Sequence, residues 1–122
     1  MPDYPRRRLP AAHLPLTVPV FHILLALSDR DRHGYAIIRE ISERTGGEVE
    51  LTASTLYAAV KRMLESGMIE EVPTPPEVER DDPRRRYYRI MPLGLELARL
   101  ETGRLERTLK MARRKRLVPS KA

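Results

Sequence analysis

GYAIIREISERTGGEVELTASTLYAAVKRMLESG, residues 34–67, decides how this chain folds. Two runs of helical periodicity flank Gly46-Gly47. In the first, Tyr35, Ile37, Ile38 and Ile41 make an apolar face, while Arg39, Glu40, Glu43 and Arg44 make a wet one. The two glycines supply a left-handed stop, and a short extended piece over 48–51 follows. Thr52 caps the next helix, 53–66, which Gly67 ends. Its apolar residues Leu56, Val60, Met63 and Leu64 recur at i, i+4, i+7 and i+8, so at ~100° per residue they share one side. The other side carries Ser54, Ala58, Lys61, Arg62 and Glu65, with Thr55 and Tyr57 on its flanks. Short polar and basic side chains in the first turns let a helix approach a groove closely.

Upstream, Thr17 is a plausible N-cap and Pro19 falls in the first turn, where backbone N–H groups lack partners anyway. Val20, Phe21, Ile23, Leu24, Leu25 and Leu27 then cover most of a helix circumference, the pattern of a helix buried on several sides, often against a partner chain. Residues 1–16 contain four prolines and read as a flexible N-terminal arm. Downstream, 68–72 and 86–90 read as short strands. The thirteen residues between them, 73–85, hold four prolines and no glycine, which is long for a hairpin loop. Pro92 starts a last helix over about 93–116. Leu93, Leu97 and Leu100 form one stripe on it, and Ala98, Thr102, Leu105, Leu109 and Ala112 another, with the shift near Gly103. The first half is expected to pack on its own domain and the second on a partner helix.

The order helix, helix, helix, strand, wing, strand, helix predicts a mainly α fold with a small β-hairpin. It is a winged helix-turn-helix with an extra N-terminal helix and a long C-terminal dimerisation helix. The divisions are an arm at 1–16, the winged domain at 17–91, the dimerisation helix at 92–116 and a tail at 117–122.

Charge points to an anionic partner. The formal net charge is +6 and the sequence pI about 10.1. Residues 99–122 hold nine Lys/Arg against two Glu. In PRRRYYRI, 83–90, a basic tip runs into an aromatic strand. Arg84, Arg85 and Arg86 at the tip of a wing would neutralise phosphates and release counterions. Alternation along the strand splits the tyrosines, with Tyr88 inward beside Ile90 and Tyr87 outward beside Arg89. Glu77, Glu79, Asp81 and Asp82 would repel phosphate, so that stretch is expected to swing away from a duplex or pair with the basic last helix. The run ARRKR, 112–116, reads as favourable charge at a helix C-terminus.

Several classes are disfavoured. With no cysteine there are no disulfides or thiolate metal sites, which fits a cytoplasmic setting. The longest near-apolar run, 18–27, falls short of the ~20 residues that span a bilayer, and no targeting segment or membrane partner is read. His13, His22 and His33 lack metal-ligand spacing. His22 is read as packed, and His33 as either a helix cap or a phosphate contact. No nucleophile–base set, glycine-rich phosphate loop or HExxH is present, so neither catalysis nor a cofactor is expected.

HGYAIIREISERTGGEVELTASTLYAAVKRMLESGMIEE, followed by RRRYYRIMPLG, resembles the PadR family of transcriptional regulators over about residues 20–105. The resemblance implies a winged-helix homodimer that binds double-stranded DNA at a near-palindromic operator, usually as a repressor. It places Ser54, Thr55, Tyr57 and Lys61, with Arg62 beside them, on the recognition helix, and His33 and Tyr35 at the start of the helix before it. Arg84, Arg85 and Arg86 fall on the basic wing. Dimerisation would use Leu105, Leu109 and Ala112, helped by Phe21 and Leu24 of the first helix. The chain departs from the pattern in three places: Ala53-Ser54 after the cap, a wing without glycine, and Met91-Pro92 without a capping hydroxyl. Some relatives bind planar aromatic ligands between subunits. This chain has no tryptophan and one phenylalanine, shows no stacking slot, and leaves any small-molecule effector unassigned. A winged-helix protein-interaction module and an RNA-associated basic protein remain as alternatives.

Overall fold

The computed structural model describes residues 10–75 and 85–119. Helix α1 (Val18–Leu27) begins where Thr17 Oγ1 accepts the Val20 N–H at 3.3 Å. Helix α2 (Gly34–Arg44) begins where His33 Nδ1 accepts the Ala36 N–H at 3.2 Å. It ends at Gly46 and Gly47, both at positive φ, where the Gly47 N–H reaches Ser42 O at 2.7 Å. Residues 48–51 form no strand; the loop is held by Thr45 Oγ1, which accepts the Val49 N–H at 3.0 Å. Helix α3 (Ala53–Glu65) starts on Thr52 Oγ1, which accepts the Thr55 N–H at 3.1 Å.

A two-stranded wing was the expectation; the sheet has three strands. β1 (Arg32–His33), β2 (Ile69–Val72) and β3 (Tyr87–Ile90) lie antiparallel in the order β1-β3-β2. β1 is two residues long, too short to show a period of two, so it was invisible as a strand. His33 stands opposite Tyr87, and Ile69 opposite Ile90. Tyr88 joins the core as expected. Tyr87 does not face solvent: it is 6% exposed, because β1 brings the His33 ring over it edge-on at 5.3 Å.

The core lies between the helices and one face of this sheet. Ile23, Leu24, Leu27, Ile37, Ile41, Leu56, Met63 and Leu97 are its fully buried large side chains, each worth about 1.5–3 kcal/mol of transfer free energy. α1 touches α2, α3 and the last helix, α4 (Pro92–Arg114), which bury Val20, Ile23, Leu24, Ala26 and Leu27 and leave Phe21 and Leu25 half-buried. Leu24, expected at a dimer contact, is 0% exposed and belongs to this core instead.

α4 starts without a side-chain cap, as Met91-Pro92 implied. It approaches the sheet closely at Gly94, where an added Cβ would meet Met68 O at 2.2 Å and Leu24 Cδ2 at 3.0 Å. One turn further Leu97 is buried, and then Glu101, which is 3% exposed. Arg104 grips the Glu101 carboxylate with two bonds of 2.8 Å. The Leu16 N–H donates to Glu101 Oε1 at 3.5 Å. That bond, with Leu14 and Leu16 packed on the core and a turn of 3-10 helix at Pro10–His13 in contact with α4, fixes residues 10–16. The described part of the expected arm is therefore docked structure, because its leucines find apolar partners that its prolines do not reveal.

Two measurements check this packing. Gly94→Ala should lower unfolding stability by about 1–3 kcal/mol in a denaturant titration, since the obstacle is backbone. The Arg104 bond holds the Glu101 carboxyl below its ordinary range, against the opposing effect of burial. Its stabilisation is therefore complete above the unfolded pKa of ~4.3 and fades as pH falls through the lower folded value. Glu101→Gln should flatten the acid limb of stability against pH; an unchanged limb would show that the pair contributes nothing there.

Candidate nucleic-acid interface

The outer side of α3 presents Ala53, Ser54, Thr55, Tyr57, Ala58 and Lys61, all exposed. The opposite side, Leu56, Ala59, Val60 and Met63, is buried, so the core fixes which residues face out. The Thr52 hydroxyl donates to Thr55 Oγ1 at 3.0 Å, which leaves the Thr55 O–H to donate outward. Hydroxyls can serve any base edge, and an ammonium suits guanine or phosphate.

The start of α2 meets this face. Tyr35, the next residue after Gly34, is 60% exposed. Gly34 lies against the Tyr57 phenol, whose oxygen would fall 2.2 Å from an added Cβ. The absent side chain at Gly34 therefore lets Tyr57 lie across the beginning of α2. Burial pushes the Tyr88 phenol up, with Tyr57 and Glu71 adding to the effect.

His33 resolves as a cap. It is 8% exposed, so it organises the surface from beneath and does not reach out to a phosphate. Its Nδ1 receives the Ala36 N–H, its ring rests on Tyr87, and its Nε2 lies 3.3 Å from Arg85 Nη1. Arg85 is half-buried and borders a shallow cleft of about 480 Å³ with Tyr35, Ile38 and Arg39. Arg39 thus joins the candidate surface; its position one helical turn after Tyr35 was the available signal.

The basic strand is partly neutralised within the protein. Arg86 reaches Glu71 on β2 at 3.1 Å, and Arg89 reaches Asp31 at 2.9 Å. Both pairs are exposed on the arginine side, and such pairs contribute ~0–1 kcal/mol, so a phosphate can replace the Glu71 carboxylate on Arg86 at small cost. Arg84 and the acids at 77–82 lie outside the described residues. Arg62 departs from the Lys61 direction and stands at the rim of a cleft shared with His13 and Thr17. Of the expected dimer residues, Leu105 and Leu109 are exposed on α4, while Phe21 and Ala112 are half-buried. Among the described residues no group of His, Asp or Glu could hold a metal ion, and no helix is long and apolar enough to cross a membrane.

A helix pair joined by a glycine turn, a capped third helix with a polar outer face, and a strand pair beside it define a winged helix-turn-helix protein. Residues 23–100 match the family model described as the Transcriptional regulator PadR-like family. The chain belongs to that family. A transcriptional regulator from Clostridium thermocellum is similar at 28% identity and a TM-score of 0.66, covering 79% of this chain and 87% of its own. RosR of H. salinarum matches at 26% identity and a TM-score of 0.58, over 86% and 89% of the two chains. A PadR family transcription regulator from Clostridium difficile, at 23% identity, shares the fold with a TM-score of 0.69 over 80% of this chain and 97% of that one. An uncharacterized protein of Lysinibacillus sphaericus is 39% identical over 72 residues, 59% of this chain. The match spans 63% of that curated relative's length.

Proposed function

We propose that the protein is a homodimeric transcriptional repressor in the cytoplasm, without catalytic activity, that reads a near-palindromic operator. The observation that carries this reading is the exposed Ser54, Thr55, Tyr57 and Lys61 face of α3, oriented by a buried opposite face and met at Tyr57 by the start of α2. In this reading α3 enters the major groove, Ser54, Thr55 and Lys61 meet base edges, and Arg85 and Arg86 meet phosphates. His33 positions Arg85 and the start of α2. Leu105 and Leu109, on the half of α4 that leaves the domain, join two copies and space two half-sites about one DNA turn apart.

The direct test is a titration into the DNA upstream of the protein's own gene, across a salt series, with scrambled duplex as control. Preference for the upstream duplex supports a regulator. Equal weak binding to both would point to a protein partner, and preference for RNA to an RNA-associated role. Lys61→Ala should weaken upstream binding by roughly 1–3 kcal/mol. The pair Arg85→Ala and Arg86→Ala should reduce the log–log salt slope by about 1–2, close to 0.9 per lost phosphate contact.

The dimer has its own test. Leu105→Asp with Leu109→Asp should give a monomer in analytical ultracentrifugation while the helical circular dichroism is kept. A persistent dimer would move the interface elsewhere.

A further inference from the structure

The second half of α4 carries two seams. Leu105 and Leu109 belong to the apolar one. On the other, Leu100, Arg104, Arg107, Met111 and Arg114 recur at steps of four, three, four and three. Arg107 and Met111 stand two residues after Leu105 and Leu109, so at ~100° per residue they point away from them. A dimer closed over the leucines therefore leaves the second seam open. Leu100 is 39% and Met111 53% exposed. A groove of about 370 Å³ runs along this side, bounded by Arg104, Arg107, Thr108, Lys110, Met111 and Arg114.

The cations of the groove are unequal. Arg104 is engaged by Glu101 through two bonds of 2.8 Å. Arg107, Lys110 and Arg114 have neither a hydrogen bond nor an ion pair among the described residues. Glu106, the one acid between 102 and 114, pairs with none of them.

The occupant follows from charge and spacing. Uncompensated cations call for carboxylates or phosphates. Steps of four and three are those by which one helix reads another, since the contact repeats about every 3.5 residues. Leu100 and Met111 sit within the same seam and offer apolar contact that a phosphate backbone would not use. A second copy would set arginine against arginine across the groove. In the repressor reading the duplex lies on the outer face of α3, which is turned away from α1, whereas α4 rests on α1. We propose that this seam docks an acidic amphipathic helix of another protein, with its apolar residues on Leu100 and Met111 and its carboxylates on Arg107, Lys110 and Arg114. Such a partner rides on α4 without covering α3.

The test uses the full chain and a fluorescein-labelled helical peptide of about three heptads, with leucine at a and d and glutamate at e and g. Two controls share its length: the same residues in scrambled order, and a version with lysine for every glutamate. Fluorescence anisotropy should show saturable binding of the glutamate peptide, and at least about tenfold weaker binding of the scramble. Arg107→Glu with Arg114→Glu should weaken the glutamate peptide by at least about tenfold and raise affinity for the lysine peptide by a similar factor. Both side chains are exposed and unpaired, so the helical circular dichroism and the oligomeric state should not change. Equal binding of the scramble, or no exchange of preference in the charge-reversed variant, would overturn the proposal. So would loss of the glutamate peptide in Leu105→Asp with Leu109→Asp but not in the charge-reversed variant, which would place the peptide on the leucine stripe. No glutamate-peptide binding, together with duplex binding that charge reversal abolishes, would make the seam a nucleic-acid contact instead. The peptide signals are read without DNA, so they stand or fall apart from the repressor reading.

Discussion

The imidazole of His33 joins three parts of the molecule that would otherwise be held separately. Nδ1 closes the first turn of α2, the ring covers Tyr87 of β3, and Nε2 meets the Arg85 guanidinium. Gly34 follows directly, and its missing side chain admits Tyr57. These two adjacent residues thus bring the start of α2 against both β3 and α3.

Net charge alone would overstate the cationic surface. Arg32 donates to Ala26 O at the end of α1 and lies near Asp29, Arg86 pairs with Glu71, Arg89 with Asp31, and Arg104 with Glu101. Lys61 and Arg62 have no such partners among the described residues. They stand next to each other on one helix but border different surfaces, the outer face of α3 and the cleft beside α1.

The helices were legible because their signals are local. Thr17 and Thr52 cap where a hydroxyl precedes an apolar period, and Gly46, Gly47 and Gly67 stop helices at positive φ. The polar face of α3 was legible for the same reason: Leu56, Val60 and Met63 fix its opposite. What escaped depends on contacts distant in sequence. β1 exists only because β3, more than fifty residues later, pairs with it. Tyr87 is covered by the His33 ring, which rides on that strand. Leu24 looked available to a partner because a helix apolar all round does not say which chain covers it, and here α4 does, beside Gly94. Arg62 looked equivalent to Lys61 because a 100° step between neighbours is small on paper and decisive at the edge of a helix.

Among the described residues, α4 is anchored to the domain at its first turns. Gly94, Leu97 and Glu101 seat its first turns against the domain, while Leu105, Leu109 and Met111 lie exposed further along. At 1.5 Å per residue its 23 residues make a rod of roughly 35 Å. A rod clamped at its base behaves as a caliper arm. In the proposed dimer, the angle at the Gly94 seat sets how far apart two reading heads stand, and a tilt of a few degrees there moves the far end by roughly 2 Å. Rotation is transmitted as faithfully as tilt. One residue inserted between the seat and the exposed leucines would turn the joining face by about 100°, whereas seven would bring it back to within about 20°. The spacing of the two halves of an operator is thus written in the length and phase of a helix that, in this reading, never touches DNA.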